Sequence, residues 1–226
     1  MRLLRHLPNA LTCLNLLSGC AGIIAVWKGP AHLAVYFVIA ACVFDFFDGF
    51  AARALHVSSP IGKELDSLAD MVSFGLLPGL VMFRMIDTLS SSDYLPYVAF
   101  CLTVFSALRL AKFNIDENQK DSFIGLPTPA NALFITSLVY LPSPFDALIS
   151  QDYFLVPITI VFSLLLVAPF ELFALKFKSF ALAGNQLKFT FIAFSVLLLG
   201  IWQLAAIPFV ILTYVLVSLL KHWVRF

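Results

Sequence analysis

From Leu11 to His222 the chain passes through one apolar stretch after another, joined by links too short to fold by themselves. Backbone N–H and C=O groups in hydrocarbon find no water, so such a chain must satisfy them inside helices or in a closed barrel. Most stretches come near the roughly 20 residues that a helical crossing needs, which selects helices. The candidate spans are Leu11–Trp27, His32–Arg53, Glu64–Arg84, Tyr94–Lys112, Thr128–Leu141, Tyr153–Leu175, Leu187–Gln203 and Ile207–His222. The fifth is short and begins at prolines. The expected fold is an all-α polytopic membrane protein, a bundle of about eight transmembrane helices, with residues 1–226 as a single integral membrane domain. With 61% hydrophobic and only 12% charged residues the composition points to a polytopic membrane protein, and the longest polar connection, Asn114–Pro127, shows no soluble domain. The basic start, Arg2, Arg5 and His6, would also suit a signal peptide. Asn9, Thr12, Asn15 and Ser18 interrupt the apolar run that follows, however, so it reads as the first helix.

Basic residues set the orientation. With eight crossings and a cytosolic N-terminus, all but Lys28 and Arg84 of the 14 Lys and Arg face the cytosol. Both termini are then cytosolic, in the cell (inner) membrane. Asp45, Asp48, Asp66 and Asp70 fall at the cytosolic ends of spans two and three, and Asp87, Asp93, Asp146 and Asp152 in external loops. The working face is cytosolic.

Acids set into so apolar a chain need a reason. Asp45 and Asp48 are three residues apart and Asp66 and Asp70 four apart, so on a helix each pair shares a face, offset by about 4.5 and 6 Å. The Arg53–Gly62 connection, with Ser58, Ser59 and Pro60, makes a turn that folds the two helices antiparallel and brings the pairs together. Asp45 lies about 12 Å of helix before Arg53, below the interface. An ionised aspartate there costs about 2.5–3.5 kcal/mol, and four would also repel one another. Cations must therefore balance them. Oxygen-only ligands suit two divalent ions, Mg²⁺ or Mn²⁺, with Ca²⁺ also accepted by such a site. Paired metals held this way commonly act on phosphate oxygens. Gly49 and Ala52 leave the same helix face bare for a polar group to approach, although small residues also serve plain helix packing. Arg53 can meet a diphosphate with a bidentate fork.

Asp45, Asp48-Gly49, Ala52-Arg53, Gly62, Asp66 and Asp70 match D-x2-D-G-x2-A-R-x8-G-x3-D-x3-D at every fixed position. In this the chain resembles the CDP-alcohol phosphotransferases. The resemblance implies a membrane enzyme that joins an alcohol to the phosphatidyl group of a CDP-linked lipid and releases CMP. It implies Asp45, Asp48 and Asp66 as metal ligands and Asp70 as general base, also able to touch a metal; Gly49, Ala52, Arg53 and Gly62 would meet the CDP-lipid. Dimers are common among similar enzymes, and no nucleic-acid partner is expected. Two further stretches resemble the bacterial and archaeal branch that uses L-serine: Leu7-Pro8-Asn9 with Thr12 and Asn15, and Arg109-Leu110-Ala111-Lys112-Phe113-Asn114 followed by Phe123–Pro129. That branch usually has Arg where Lys112 stands, so charge is kept and the fork is not. The resemblance implies CDP-diacylglycerol as donor, with Asn9 and Thr12 helping to bind it, and Arg109, Lys112 and Asn114 receiving serine's carboxylate or the lipid phosphate. Helix capping at Asn9, interhelical bonding at Thr12 and positive-inside anchoring at Arg109 and Lys112 are the plainer readings.

Other acceptors, namely glycerol 3-phosphate, inositol phosphate or choline, fit the same chemistry. A divalent-cation transporter would spread its acids through the midplane and often repeat its halves; this chain clusters them at one end of one hairpin. The 116–125 loop is suited to close over a small acceptor, or is simply soluble. Glu171 is expected late in span six, snorkelling to Lys176 or Lys178, with a catalytic role as the alternative. Cys13, Cys20, Cys42 and Cys101 lack metal spacing and read as small buried apolar residues.

Overall fold

The computed structural model describes residues 3–29, 31–57, 59–115, 123–172 and 185–224. It is built of helices: α1 (Leu7–Lys28), α2 (Ala34–Ala54), α3 (Pro60–Asp70), α4 (Leu77–Asp87), α5 (Phe100–Ile115), α6 (Thr128–Ser137), a short α7 (Asp146–Ile149), α8 (Asp152–Val167), α9 (Gln186–Trp202) and α10 (Ala206–Val224). Among the described residues the only β pairing is a two-residue antiparallel ladder, β1 (Phe123–Ile124) with β2 (Glu171–Leu172). Five helical stretches are long and apolar enough to cross a membrane: Leu7–Lys28, Ala31–Ala54, Pro60–Asp87, Leu95–Ile115 and Gln186–Lys221. The last is 36 residues, about 54 Å of helix against a hydrocarbon core of about 30 Å. It folds in two at Gln203, where φ is +49°. Ring contacts between Phe191 and Tyr214 and between Trp202 and Phe209 show α9 and α10 returning on each other as a hairpin.

Helices stand at all eight expected places, and the largest boundary change is in the sixth. The sixth ends at Val167, not Leu175. Ala168 turns to φ −64°, ψ 136° before Pro169, because a residue preceding proline avoids the helical region. Glu171 therefore lies in β2, past the helix. The cysteines also depart from expectation. Cys13 and Cys20 are exposed and Cys42 and Cys101 half-buried, so they sit toward the outer surface rather than in the core. In a membrane helix an apolar residue faces lipid without cost. Residues 116–122 of the expected closing loop, Lys120, and the Lys176 and Lys178 partners proposed for Glu171 lie outside the described residues.

The packing forms two connected cores. Val26, Ala34, Val38, Ala41, Phe74, Leu77, Val81 and Ala132 join α1, α2, α4 and α6. A second group, including Met82, Leu102, Phe134, Ile135, Leu155 and Phe162, joins α4, α5, α6 and α8, with Phe134 stacked on Phe162 at 3.7 Å. Between α3 and α4 the helix widens to a π-helical segment, Met71–Leu76, in which the Leu77 N–H reaches back to the Val72 carbonyl. Pro78 has no N–H to give the Phe74 carbonyl, so the ladder can slip by one residue just before it. This segment packs on α1. A Cβ at Gly19 would meet Ser73 Oγ and stand 2.9 Å from Ser73 Cα, backbone that cannot yield. Gly19→Ala is therefore expected to cost about 1–3 kcal/mol, read as a melting temperature lower by several degrees; an unchanged melting temperature would contradict this packing.

Candidate active site

The hairpin that carries the acids is closed by local chemistry. α2 stops with His56 in the left-handed region at φ +52°, and the Val57 N–H bonds the Ala52 carbonyl at 3.0 Å, a Schellman-type ending. α3 starts at Pro60, with the Ser59 hydroxyl accepting the Gly62 N–H at 3.1 Å. The helices fold back on each other, and Asp45, Asp48 and Asp66 each bring a carboxylate oxygen within 4.8 Å of the other two. Asp48 is 6% exposed and Asp70 9%. Asp70 stands outside that trio, one turn deeper than Asp66, within electrostatic reach of Asp45 and Asp66.

Helix α1 grips both pairs from the side. Thr12 Oγ1 donates to Asp48 Oδ2 at 2.7 Å, with the Pro8 carbonyl as a competing acceptor at 3.1 Å. Asn15 Nδ2 donates to Asp70 Oδ1 at 3.0 Å, and Ser73 Oγ anchors the Asn15 carbonyl at 2.9 Å. Thr12 and Asn15 are three residues apart, so one face of α1 holds one aspartate of each pair. Asn15, which the sequence marked by its place in the Leu7–Asn15 stretch, had been assigned no role.

A divalent ion fits these residues. The donors are all carboxylate oxygens, the set that hard cations prefer. Asp66 Oδ1 is buried with no hydrogen-bond partner among the described residues. Ionised carboxylates 4.8 Å apart repel by about 3 kcal/mol per pair at an effective dielectric near 20, and a bound dication reverses that sign. Loss of a hydrogen bond that orients a ligand typically costs about 10–100-fold in metal affinity. Thr12→Val is expected to weaken Mn²⁺ binding by about tenfold in a calorimetric titration; unchanged affinity would remove Thr12 from the support of Asp48.

Next to the acids lies a cleft of about 270 Å³, lined by Arg5, Pro8, Asn9, Thr12, Asp48, Gly49, Ala52, Val57, Ser59, Gly62, Lys63 and Asp66. Every residue expected to meet the CDP-lipid is here except Arg53. That guanidinium lies over Gly49, with Nη1 3.4 Å from where a Cβ would be, and is exposed at the rim. A Cβ on Gly62 would press on Ser59 Oγ at 3.0 Å and Asn9 Oδ1 at 3.1 Å. Asn9 is no N-cap, because the helix begins earlier, at Leu7.

The residues expected to receive serine divide. Arg109, 9% exposed, and Lys112 line a second cleft of about 320 Å³ with Phe113, Ile115, Ile124, Leu166, Val167 and Pro169. Arg109 is also within electrostatic reach of Asp70. Asn114 is occupied elsewhere: its Nδ2 donates to Ser67 Oγ at 2.8 Å and its carbonyl accepts from Lys63 Nζ at 2.7 Å, tying α5 to α3. The wall of this cleft depends on Gly125. Its φ is +73°, and a Cβ there would stand 2.5 Å from the Leu166 carbonyl oxygen; the Leu126 N–H bonds the Leu165 carbonyl at 2.8 Å. Only glycine fits this approach.

A membrane-embedded helical bundle with a carboxylate cluster beside a bare-walled cleft defines a class, and comparison with known proteins names it. Residues 5–224 match the CDP-alcohol phosphatidyltransferase family profile, and the chain belongs to that family, an integral membrane family that uses divalent metals. More particularly, it is similar to proteins named CDP-diacylglycerol–serine O-phosphatidyltransferase. The Bacillus subtilis protein is 34% identical over 145 residues, covering 62% of this chain and 79% of that one. The Mycobacterium leprae protein is 34% identical over 152 residues (64% and 50%), and the Saccharomyces cerevisiae protein 34% over 152 (60% and 54%). The match thus spans from half to about four-fifths of these relatives' length.

Proposed function

We propose that the chain transfers the phosphatidyl group of CDP-diacylglycerol to the hydroxyl of L-serine, giving phosphatidylserine and CMP. The observation that carries this reading is the trio Asp45, Asp48 and Asp66 beside Asp70, opening on a cleft floored by Gly49, Ala52 and Gly62. The names of the similar proteins support serine as the acceptor.

In this reading the diphosphate lies over Gly49 and Gly62, where no side chain blocks the backbone, with Arg53 and Lys63 at its edge. Asp45, Asp48 and Asp66 would hold two Mg²⁺ or Mn²⁺, with Asp70 able to touch one; when bound, the ions would offset the negative charge of the diphosphate and of the departing CMP. Asp70, oriented by Asn15, takes the proton of the serine hydroxyl. The freed oxygen forms a bond to the phosphorus that carries the lipid, the bond from that phosphorus to the CMP oxygen breaks, and CMP leaves with the electron pair. Arg109 and Lys112 supply positive charge for serine's carboxylate or the lipid phosphate. No organic cofactor takes part. The helices make eight crossings of the inner membrane with both termini and this site on the cytosolic side, where both substrates are met.

Incubating the purified protein with radiolabelled serine and CDP-diacylglycerol is expected to yield labelled phosphatidylserine; label that stays water-soluble would overturn serine as acceptor. Arg109→Ala is expected to raise the KM for serine tenfold or more with little change in the KM for CDP-diacylglycerol. An unmoved serine KM would remove Arg109 from the acceptor's side of the site.

A further inference from the structure

A second group of polar side chains in the interior has no hydrogen-bond partner among the described residues. Ser106 Oγ on α5, and Thr128 Oγ1 and both amide atoms of Asn131 on α6, belong to fully buried residues and have no hydrogen-bond partner among the described residues; Arg109 Nε has none either. Each such group costs about 1–3 kcal/mol if left unsatisfied, and native interiors hold few. Neighbouring hydroxyls behave otherwise. Thr136, Thr159 and Ser163 all donate to the carbonyl one turn back, at 2.7–2.8 Å, the usual outlet for such residues in a helix. Ser106 lies mid-helix with the same outlet available and does not use it.

Both helices that carry these groups, α5 and α6, pack on the π-helical segment that follows Asp70. Tyr140 Oη donates to the His32 carbonyl at 2.9 Å, so the far end of the α6 segment meets the start of α2. Ala132 packs in one cluster with Val38 and Ala41, so the two helices run antiparallel. Twelve residues back from Tyr140 is Thr128, and twelve on from His32 is Phe44, which sets Thr128 at the depth of Asp45. Asn131 is one turn outward. Across the bundle, Ser106 Cβ is 3.2 Å from where a Gly75 Cβ would stand, in the π-helical segment that directly follows Asp70. Arg109, one turn beyond Ser106, feels the charge of Asp70.

We propose that Ser106, Arg109, Thr128 and Asn131 form the pocket for the acceptor, a small zwitterionic amino alcohol; this rests on the reaction proposed above. Arg109 and the Asn131 amide N–H groups meet the carboxylate. Asn131 Oδ1 and the two hydroxyls accept from the ammonium, which leaves the alcohol facing Asp70. Arg109 is the one cation among the four, which suits a ligand of no net charge better than a phosphate dianion. Choline's quaternary head has no N–H to give the three acceptors.

Two volume-matched variants of the full chain, Asn131→Leu and Thr128→Val, test the pocket with the purified protein in detergent. Each is expected to raise the KM for serine tenfold or more and to leave the KM for CDP-diacylglycerol within twofold. The melting temperature should hold or rise, because a stranded polar group has been removed. A group that merely holds helices together would give the opposite stability result. Serine KM within twofold of wild type in both variants, or a melting temperature lower by several degrees in both, would overturn the pocket. Wild-type protein that makes no phosphatidylserine would overturn the reaction itself; wild-type protein that makes it while the variants keep their serine KM would overturn the pocket alone.

Discussion

Asp70→Asn is expected to lower kcat by about 10²–10⁴-fold, the range a positioned general base contributes, while Mn²⁺ still binds. The geometry makes this substitution informative. Asn15 Nδ2 donates to Asp70 Oδ1, and an amide oxygen in the same place still accepts that bond, though more weakly, so the side chain stays where it was. The ability to take a proton is lost, together with one negative charge. The trio that gathers within 4.8 Å is Asp45, Asp48 and Asp66, so the residue exchanged lies outside the tightest part of the cluster. Single-turnover measurement on the variant, with Mn²⁺ bound, separates loss of chemistry from loss of the ion. A near-normal rate would remove Asp70 as the base.

Asp66→Asn is expected to abolish turnover for a different reason, and its stability signature has two signs. In chelator the variant should melt at or above wild type, because one of three mutually repelling carboxylates has become neutral and Asp66 Oδ1 has no hydrogen-bond partner among the described residues. In Mn²⁺ the order should reverse. An ion present at 100 times its dissociation constant stabilises the folded state by about 2.7 kcal/mol, roughly 5–10 °C for a chain of this size. Wild type gains that shift and the variant does not. A melting temperature that falls in chelator, or a full Mn²⁺ shift in the variant, would contradict the role given to Asp66.

Much of this site could be read from the sequence because helical geometry is regular. Spacings of three and four residues dictate that each aspartate pair shares a face, and the Ser59-Pro60 start of α3 dictates a tight return. Thr12 was legible through the family resemblance, and its bond to Asp48 is the interhelical one that the plainer reading expected. What escaped depends on contacts made across the bundle. The π-helical widening at Met71–Leu76 needs Pro78 and the close approach of Gly19 together, and no local pattern announces it. Asn131 and Ser106 look in sequence like any polar residue in a membrane helix; only packing reveals that no described residue answers them. Asn114 was misleading in the other direction. It shares a motif with Arg109 and Lys112, yet its side chain is turned to Ser67. The early end of α8 was written in Pro169, but the apolar residues continuing to Leu175 masked it.

Mn²⁺ titrated into the purified protein and followed by electron paramagnetic resonance tests the central claim most directly. Two ions per chain are expected, bound with a spin-coupled spectrum because paired sites of this kind lie about 3.5–4 Å apart, and lost together in Asp66→Asn. A single uncoupled ion, no tightly bound ion, or a pair that survives Asp66→Asn would contradict it.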